Sequence, residues 1–199
     1  SWLHRNLFGG GERLTVSGEV LNIGTQAGGV DYKLGFTLDR PATFTADTTL
    51  SFGAGIGRLD EVDFQADMFN VFAGLNRVLT DQLSAKAGFA YDYAKITDPS
   101  GDAIYRALSL PVSMIWDRRD VKANATKGFY LEAEAKPFLG FGITDSGARL
   151  KLDARGYKAL GAEGGVVMAA RFQAGAVLGA SVQGTPRDYL FYSGGGGTV

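Results

Sequence analysis

The sequence has no cysteine, one histidine and five prolines among its 199 residues. Without cysteine there can be no disulfide framework and no thiolate metal site. With His4 as the only histidine, a histidine metal cluster and a Ser–His catalytic arrangement are both excluded. The formal net charge of −1 lacks the basic excess that is typical of nucleic-acid binders. We therefore expect no enzyme, no cofactor and no nucleic-acid partner.

Long apolar runs are also missing, because no stretch approaches the ~18 residues that a membrane-spanning helix requires. If the chain crosses a membrane, it does so as strands. Glycine is abundant at 29 residues, and 45% of the sequence is hydrophobic and 12% aromatic. That much apolar surface argues against disorder. Glycine and aromatic residues in short alternating segments are typical of β-barrels, which need bends and tight turns.

Apolar and polar residues alternate with period 2 along most of the chain, which predicts β-strands. Most segments exceed the ~5–6 residues of soluble strands and approach the ~9–11 that cross a bilayer at a tilt. The predicted strands, preceded by the tail of another at Ser1–Asn6, are Arg13–Val20, Tyr32–Asp39, Leu50–Ile56, Asp63–Leu79, Leu83–Tyr93, Ile104–Asp117, Phe129–Lys136, Leu150–Arg155 and Met168–Leu178.

Two of these segments are irregular. Asp63–Leu79 changes phase near Phe69, which predicts a bulge. Ile104–Asp117 contains Pro111, which cannot donate a ladder hydrogen bond. None of the connections shows a helical pattern of 10–15 residues, so parallel βαβ crossovers are unfavourable and an antiparallel meander is expected.

Alternation alone does not decide between a membrane barrel and a soluble β-sandwich. In a barrel the apolar face contacts lipid and the polar face lines an aqueous lumen. Strand length and glycine content favour the barrel. So do aromatic residues near strand ends, where membrane girdles lie. These residues are Trp2, Phe8, Tyr32, Tyr91, Tyr93, Trp116 and Phe138.

Three segments resemble the bacterial surface-antigen superfamily of outer-membrane β-barrels that includes BamA and TamA. Residues 4–14, which read His-Arg-Asn-Leu-Phe-Gly-Gly-Gly-Glu-Arg-Leu, resemble the turn between the second and third barrel strands of that family. The matching residues are Asn6, Leu7, Phe8, Gly9 and Gly11. Glycines here would let two long strands reverse tightly on the periplasmic side.

Residues 116–129 resemble the superfamily's Asp-x-Arg-Asp…Asn-Pro-Thr-x-Gly signature. Ala125 and Lys122 stand where family members often carry proline, which leaves the charged positions intact. The positions that match are Asp117, Arg119, Asp120, Asn124, Thr126 and Gly128. We expect Asp117, Arg119 and Asp120 to form a hydrogen-bonded cluster that fixes a periplasmic turn.

The last ten residues resemble the approach to the family's Val-Arg-Gly-Phe/Tyr motif, which relatives carry on an extracellular loop that folds back into the lumen. Phe191, Gly194, Gly195 and Val199 are the matching positions, with Val199 as the motif's valine. The chain ends before the arginine, begins without an initiator Met and shows no signal peptide. We therefore expect residues 1–199 to be part of a C-terminal barrel domain, without the periplasmic POTRA domains and the final strands.

The resemblance implies an all-β fold, an antiparallel transmembrane meander of about ten strands. These correspond to strands 2 to 11 of a sixteen-stranded barrel, left open by truncation. It implies a location in the bacterial outer membrane, contact with its lipid, and a role in inserting β-barrel or autotransporter clients. The first turn and the glycine-rich end resemble TamA most, which implies a TamB-like inner-membrane partner through missing periplasmic domains. The alternatives are polypeptide secretion as in two-partner systems, a passive porin, and a soluble β-sandwich binding module.

Other readings of single motifs are less favourable. The glycine runs 9–11 and 194–197 lack the Gly-Lys-Ser/Thr ending and the helix of a phosphate loop. Glu132 and Glu134 have the spacing of paired glycosidase carboxylates, but lumen-facing charges beside Lys136 and across from Lys151 or Arg155 explain them better. Asp98 and Asp102 lack the order of a calcium-binding EF-hand, and a solvated turn is expected.

Overall fold

A computed structural model of the chain describes residues 1–23, 29–99, 101–161 and 165–191. Eleven strands and one short 3₁₀ helix, Arg187–Tyr189, account for the regular structure of these residues. The strands are β1 Trp2–Arg5, β2 Arg13–Leu21, β3 Asp31–Arg40, β4 Thr48–Asp60, β5 Gln65–Thr80, β6 Leu83–Asp98, β7 Gly101–Ser109, β8 Val112–Asp117, β9 Lys127–Gly142, β10 Gly147–Leu160 and β11 Val166–Leu178.

The strands form one antiparallel sheet whose order follows the sequence. β7 and β8 share one position, since both pair with β6 on one side and β9 on the other. They are the predicted segment Ile104–Asp117, divided at Pro111 because proline has no N–H to donate to the ladder. The carbonyl of Pro111 still accepts from Gly88 N at 3.0 Å, and Leu110 N donates to Pro137 O at 2.9 Å. The predicted meander of about ten strand positions is confirmed.

The sheet is open within the described residues. There β1 pairs with β2 and β11 pairs with β10, and neither has a second neighbour. A second sheet packed against the first, as in a sandwich, is absent from this part of the chain. The sheet curves around a cleft of about 950 Å³ whose lining runs from Glu19 on β2 to Arg149 on β10. None of the described helices is long and apolar enough to span a membrane.

The two faces of the sheet differ in polarity, as the alternation predicts. The inner face, which lines the cleft, carries charged side chains such as Glu134, Lys136 and Arg149. The outer face is apolar and exposed: Phe89, Leu139 and Phe172 are each about 60% accessible or more. Apolar side chains that face outward in a closed sheet are suited to lipid, and charged ones that face inward to an aqueous lumen.

The predicted bulge near Phe69 is wrong. β5 keeps an unbroken register with β4 and β6 through that residue, and the irregularity lies between Val78 and Thr80. The apparent change of phase comes from Phe72, an aromatic residue on the inner face. Its ring lies where a Cβ on Gly53 of β4 would stand, so the absence of a side chain at Gly53 lets the sheet accommodate an inward aromatic without a bulge.

Phe138 is also placed differently from the prediction. It is 3% exposed on the inner face, where it packs with Ala107 and Tyr189 in a small buried cluster. It is therefore no part of an outer aromatic girdle. Trp2, Phe8, Tyr32 and Trp116 are exposed, at 37% or more, as a girdle requires.

Candidate functional site

The first turn, residues 6–12, is organised by Asn6 and Glu12. Asn6, Gly9 and Gly11 have positive φ values of 63°, 88° and 78°, and Gly11 N donates to Asn6 Oδ1 at 2.8 Å. The Glu12 carboxylate is 4% exposed and accepts from Gly10 N at 3.0 Å and Phe8 N at 3.3 Å. Hydrogen bonds from the backbone N–H groups of Glu12 itself, Gly10 and Phe8 hold the pKa of Glu12 below its ordinary value.

Leu7 and Phe8 project from this turn and are exposed. Sequence reasoning identified the glycines but missed Glu12, which satisfies the turn's backbone donors. A carboxylate directly after a glycine run could have indicated this role, because acidic side chains in turns can accept hydrogen bonds from nearby backbone N–H groups.

The second turn joins β8 to β9 and contains two separate carboxylate clusters. Asp117 binds the Arg119 guanidinium in a bidentate fashion, at 2.9 Å to Nε and 2.8 Å to Nη2. Asp120 accepts instead from Thr126 N at 2.9 Å and Thr126 Oγ1 at 2.5 Å, and also from Val121 N at 2.9 Å. The three predicted residues therefore lie together, but Asp120 closes the turn and Asp117 orients Arg119.

Gly128 ends this turn with a φ of 98°. A Cβ at this position would overlap the backbone carbonyl of Arg118 on the opposite arm of the turn. Asn124, the remaining motif residue, is exposed in the turn. The turn thus requires glycine at 128 for both backbone conformation and space.

Arg119 connects this turn to the next strands across the inner face. Its guanidinium carbon lies 5.0 Å from the centre of the Tyr130 ring, and that of Arg155 lies 5.1 Å from the same ring. Asp153, 3% exposed, accepts from Arg155 at 2.8 Å and from Arg171 at 2.6 Å. A continuous set of charged and aromatic contacts therefore runs from the turn to β11, and sequence reasoning missed Asp153 as its centre.

The inner-face glutamates have partners other than those predicted. Glu134 binds Arg149 at 2.7 Å, and Glu132 accepts from Tyr130 OH at 2.8 Å. Arg155, one of the predicted partners, binds Asp153, and Lys136 binds Asp92 at 3.0 Å. The prediction of lumen-facing charges holds, although diagonal pairing rather than direct opposition satisfies Glu134.

After β11, residues 179–191 turn back over the inner face, and we call them the return segment. At its start, Asp145 in the β9–β10 connection accepts from Ser181 N at 2.8 Å and Ser181 Oγ at 2.6 Å. Asp145 N donates in turn to Gly184 O at 2.8 Å. Tyr105 OH adds a bond of 3.1 Å to Gln183 O. The hydrogen bonds from Ser181 lower the pKa of Asp145.

Deeper on the inner face, Tyr189 anchors the return segment. Its hydroxyl donates to Asp92 Oδ2 at 2.5 Å, and its ring packs edge-on against Phe138 with centroids 4.9 Å apart. The Lys136 ammonium lies 4.0 Å from the ring centre and also binds Asp92. Tyr189 is 3% exposed, and this burial raises the pKa of its phenol.

Phe191 follows as the last described residue. Arg149 lies 4.5 Å above its ring, and the ring occupies the space that a Cβ on Gly175 of β11 would need. The predicted motif positions Gly194, Gly195 and Val199 lie outside the described residues. Sequence reasoning missed Tyr189, because its contacts with Asp92, Lys136 and Phe138 join residues that are far apart in the sequence.

Within the described residues, no group of three His, Asp or Glu side chains is arranged to hold a metal ion. Asp102, considered for calcium, binds Lys95 at 2.8 Å and Thr97 at 2.8 Å. The residues that the geometry brings together therefore organise turns and the return segment.

The charge of Asp120 predicts a pH dependence for the second turn. Hydrogen bonds from Thr126 and from the N–H groups of Lys127, Thr126 and Val121 lower the pKa of Asp120 below its ordinary 3.8. A lowered pKa means that the stabilisation is complete above about pH 4 and is lost as the pH falls through the folded value. Hydrogen exchange of the Thr126 amide should be faster in Asp120→Asn than in the wild type at pH 6, and the difference should shrink in acid. Equal exchange at pH 6 would contradict this role.

An antiparallel sheet with an apolar outer face, a charged inner face and a segment folded onto that inner face defines the transmembrane β-barrel class. Sequence comparison gives the family: the Omp85 superfamily domain matches residues 6–199, so the chain belongs to the Omp85 superfamily. This is a superfamily of proteins that insert or transport other proteins at the outer membrane.

Among solved structures, the chain is similar to the crystal structure of BamA from Haemophilus ducreyi lacking POTRA domains 1–3. The TM-score is 0.74 at 15% sequence identity. The match covers 98% of this chain but 41% of that one, so the chain spans less than half of that structure's length. At this identity the likeness establishes the fold. No curated protein matches the sequence.

Proposed function

We propose that this chain is part of the C-terminal barrel domain of a TamA-like assembly factor. In this proposal the complete protein lies in the bacterial outer membrane and promotes the insertion of autotransporters or other β-barrel proteins. Its POTRA domains and final strands lie outside residues 1–199. A TamB-like inner-membrane protein would be reached through the periplasmic domains.

The observation that carries the proposal is the return segment in a barrel of this superfamily. Tyr189 is buried against Asp92, Lys136 and Phe138 on the inner face. The return segment therefore fills space that a passive pore would leave open. A porin uses its lumen as a water-filled channel, and an anchored segment obstructs that use. An assembly factor inserts its clients into the surrounding bilayer, so its lumen does not need to stay open.

Physical chemistry supports insertion without a cofactor. Lipid leaves backbone N–H and C=O groups unsatisfied, so a client strand gains by pairing before it meets hydrocarbon. An unpaired strand edge is a template for that pairing. Burial of the client's apolar face in the bilayer then supplies the driving force, and neither ATP nor a bound group is needed.

The subtype rests on the first turn. Asn6, Gly9 and Gly11 adopt positive φ values, and Leu7 and Phe8 project outward. This is the Asn-Leu-Phe-Gly pattern by which the sequence resembles TamA. The turn would present two apolar side chains at the periplasmic surface of the barrel.

Depletion of the complete protein in its own cells tests the proposal. Quantitative proteomics of isolated outer membranes should show lower levels of autotransporters or several other β-barrel proteins. Unchanged barrel levels would contradict an assembly role. Loss of one secreted polypeptide from the medium, with normal barrel levels, would indicate the two-partner secretion alternative instead.

A further inference from the structure

The outer face carries charged side chains at both ends of its apolar band. The barrel has two ends: the turn rim, where β1 joins β2 and β8 joins β9, and the loop rim, where β4 joins β5 and β9 joins β10. On β5, Asp67 and Arg77 bound an apolar stretch of outward residues. Ten residues at ~3.3 Å each, tilted by ~40°, give a height of about 25 Å, which matches the apolar band of a membrane barrel.

At the loop rim two outward cations, Arg58 and Lys95, are paired within the protein. Arg58 binds Asp67 at 2.5 Å and Lys95 binds Asp102 at 2.8 Å. These cross-strand pairs alternate in sign from β4 to β7. Opposite charges on adjacent strands stabilise a sheet, so these four side chains satisfy one another.

At the turn rim, by contrast, two charges of the same sign face each other. Lys127, the first residue of β9, is directly opposite Lys158 of β10 in register, and both are exposed. Lys158 belongs to the outer row that contains Leu150, Leu152 and Ala154. Within the part of the chain that the structure describes, neither lysine forms an ion pair. The nearby Asp120 carboxylate is engaged by Thr126 and by backbone N–H groups, that of Lys127 included.

Like charges directly opposite each other destabilise a sheet, and an anion between two cations offsets their repulsion. An aromatic pair on the same strands indicates the depth at which that anion lies: Trp116 and Phe129 pack edge-on with centroids 5.1 Å apart, and Trp116 is 37% exposed. Tryptophan on an outer barrel face marks the level of the lipid headgroups.

We propose that Lys127 and Lys158 form a binding site for the phosphate of an anionic phospholipid headgroup in the leaflet at the turn rim. The proposal rests on the membrane location, and it is independent of the assembly activity. Two ammonium groups side by side provide point charges for one phosphate, and Trp116 with Phe129 provides the adjoining contact for the upper acyl chain. The Arg58–Asp67 and Lys95–Asp102 pairs of the loop rim have no such need of an anion.

The test measures lipid preference directly. The complete protein is placed in nanodiscs of phosphatidylcholine and phosphatidylglycerol, and the lipids that stay bound are counted by native mass spectrometry. The wild type should retain phosphatidylglycerol preferentially. The preference should fall about fivefold in Lys127→Gln, since this is the usual contribution of one basic residue near an anionic leaflet. It should fall about fivefold again in the double variant that adds Lys158→Gln.

Two controls separate the charge from the fold. The double variant Lys127→Arg with Lys158→Arg keeps both charges and should keep the preference. Lys33→Gln removes an exposed lysine of β3 on the inner face and should also leave the preference unchanged.

Heat-modifiable gel mobility verifies that each variant is folded. An unchanged preference in the folded double glutamine variant overturns the proposal, and its loss in Lys33→Gln would do the same by showing that any lysine suffices. Insertion activity does not enter the measurement, so failure of the proposed function would not affect the result.

Discussion

Gly128→Ala is expected to unfold the β8–β9 turn and to lower the amount of folded barrel sharply. The φ of 98° is a conformation that costs a residue with a Cβ about 1–3 kcal/mol. The new Cβ would in addition overlap the Arg118 carbonyl, and the backbone on both arms of the turn is fixed by Arg118 N to Phe129 O at 2.8 Å. Relief requires opening the hydrogen bonds that close the turn.

Gly161→Ala is the matched control, because Gly161 also has a positive φ, 86°, but nothing within 4 Å of its Cβ position. It carries the backbone cost without the overlap. The measurement is the temperature at which the barrel loses its compact gel mobility, in the complete protein. Gly128→Ala should lower that temperature clearly more than Gly161→Ala. Equal decreases in temperature would show that overlap with the Arg118 carbonyl does not contribute to the effect of Gly128→Ala.

Tyr189→Ala is expected to release the return segment from the inner face while the sheet stays folded. Truncating a buried aromatic side chain costs about 3–5 kcal/mol, and here it also removes the hydroxyl bond to Asp92 and the ring beneath Lys136. The attachment of Ser181 to Asp145 lies nearer the loop rim and should survive. Hydrogen exchange of residues 186–191 should therefore accelerate, with little change in β10 and β11.

Tyr189→Phe separates the hydroxyl from the ring. It keeps the contact with Phe138 and loses one hydrogen bond to a carboxylate, a net effect of about 1.5–3 kcal/mol. Its exchange should lie between that of the wild type and that of Tyr189→Ala. If Tyr189→Ala leaves the exchange of residues 186–191 unchanged, Tyr189 is not the anchor.

Much of the fold follows from the alternation of the sequence, because one face of each strand must avoid water and the other must not. Each segment from Arg13–Val20 to Met168–Leu178 coincides with a strand position in the predicted order, although β5 begins at Gln65 and Ile104–Asp117 is divided at Pro111. The predictions are wrong where the face on which a side chain lies depends on a residue that is distant in the sequence. Phe72 points inward because Gly53 leaves it room, and Phe138 is buried because Tyr189 covers it.

The candidate site was less accessible from sequence for the same reason. Asp117, Arg119, Asp120 and Thr126 interact within ten residues of chain, so a local motif predicts their proximity. Tyr189 and Asp92 are 97 residues apart, and their contact depends on sheet curvature that no local pattern encodes. Asp153 similarly acquires Arg171 only when β10 pairs with β11, whereas its other partner, Arg155, lies on the same strand.

The most direct test of the proposed function is an insertion assay with purified components. The complete protein is reconstituted in liposomes, a urea-denatured β-barrel client is added, and its folding is followed by heat-modifiable gel mobility. The proposal predicts that the client folds several times faster than in empty liposomes, without ATP, and that the Gly128→Ala variant loses this acceleration. Equal folding rates with and without the protein would contradict an assembly role.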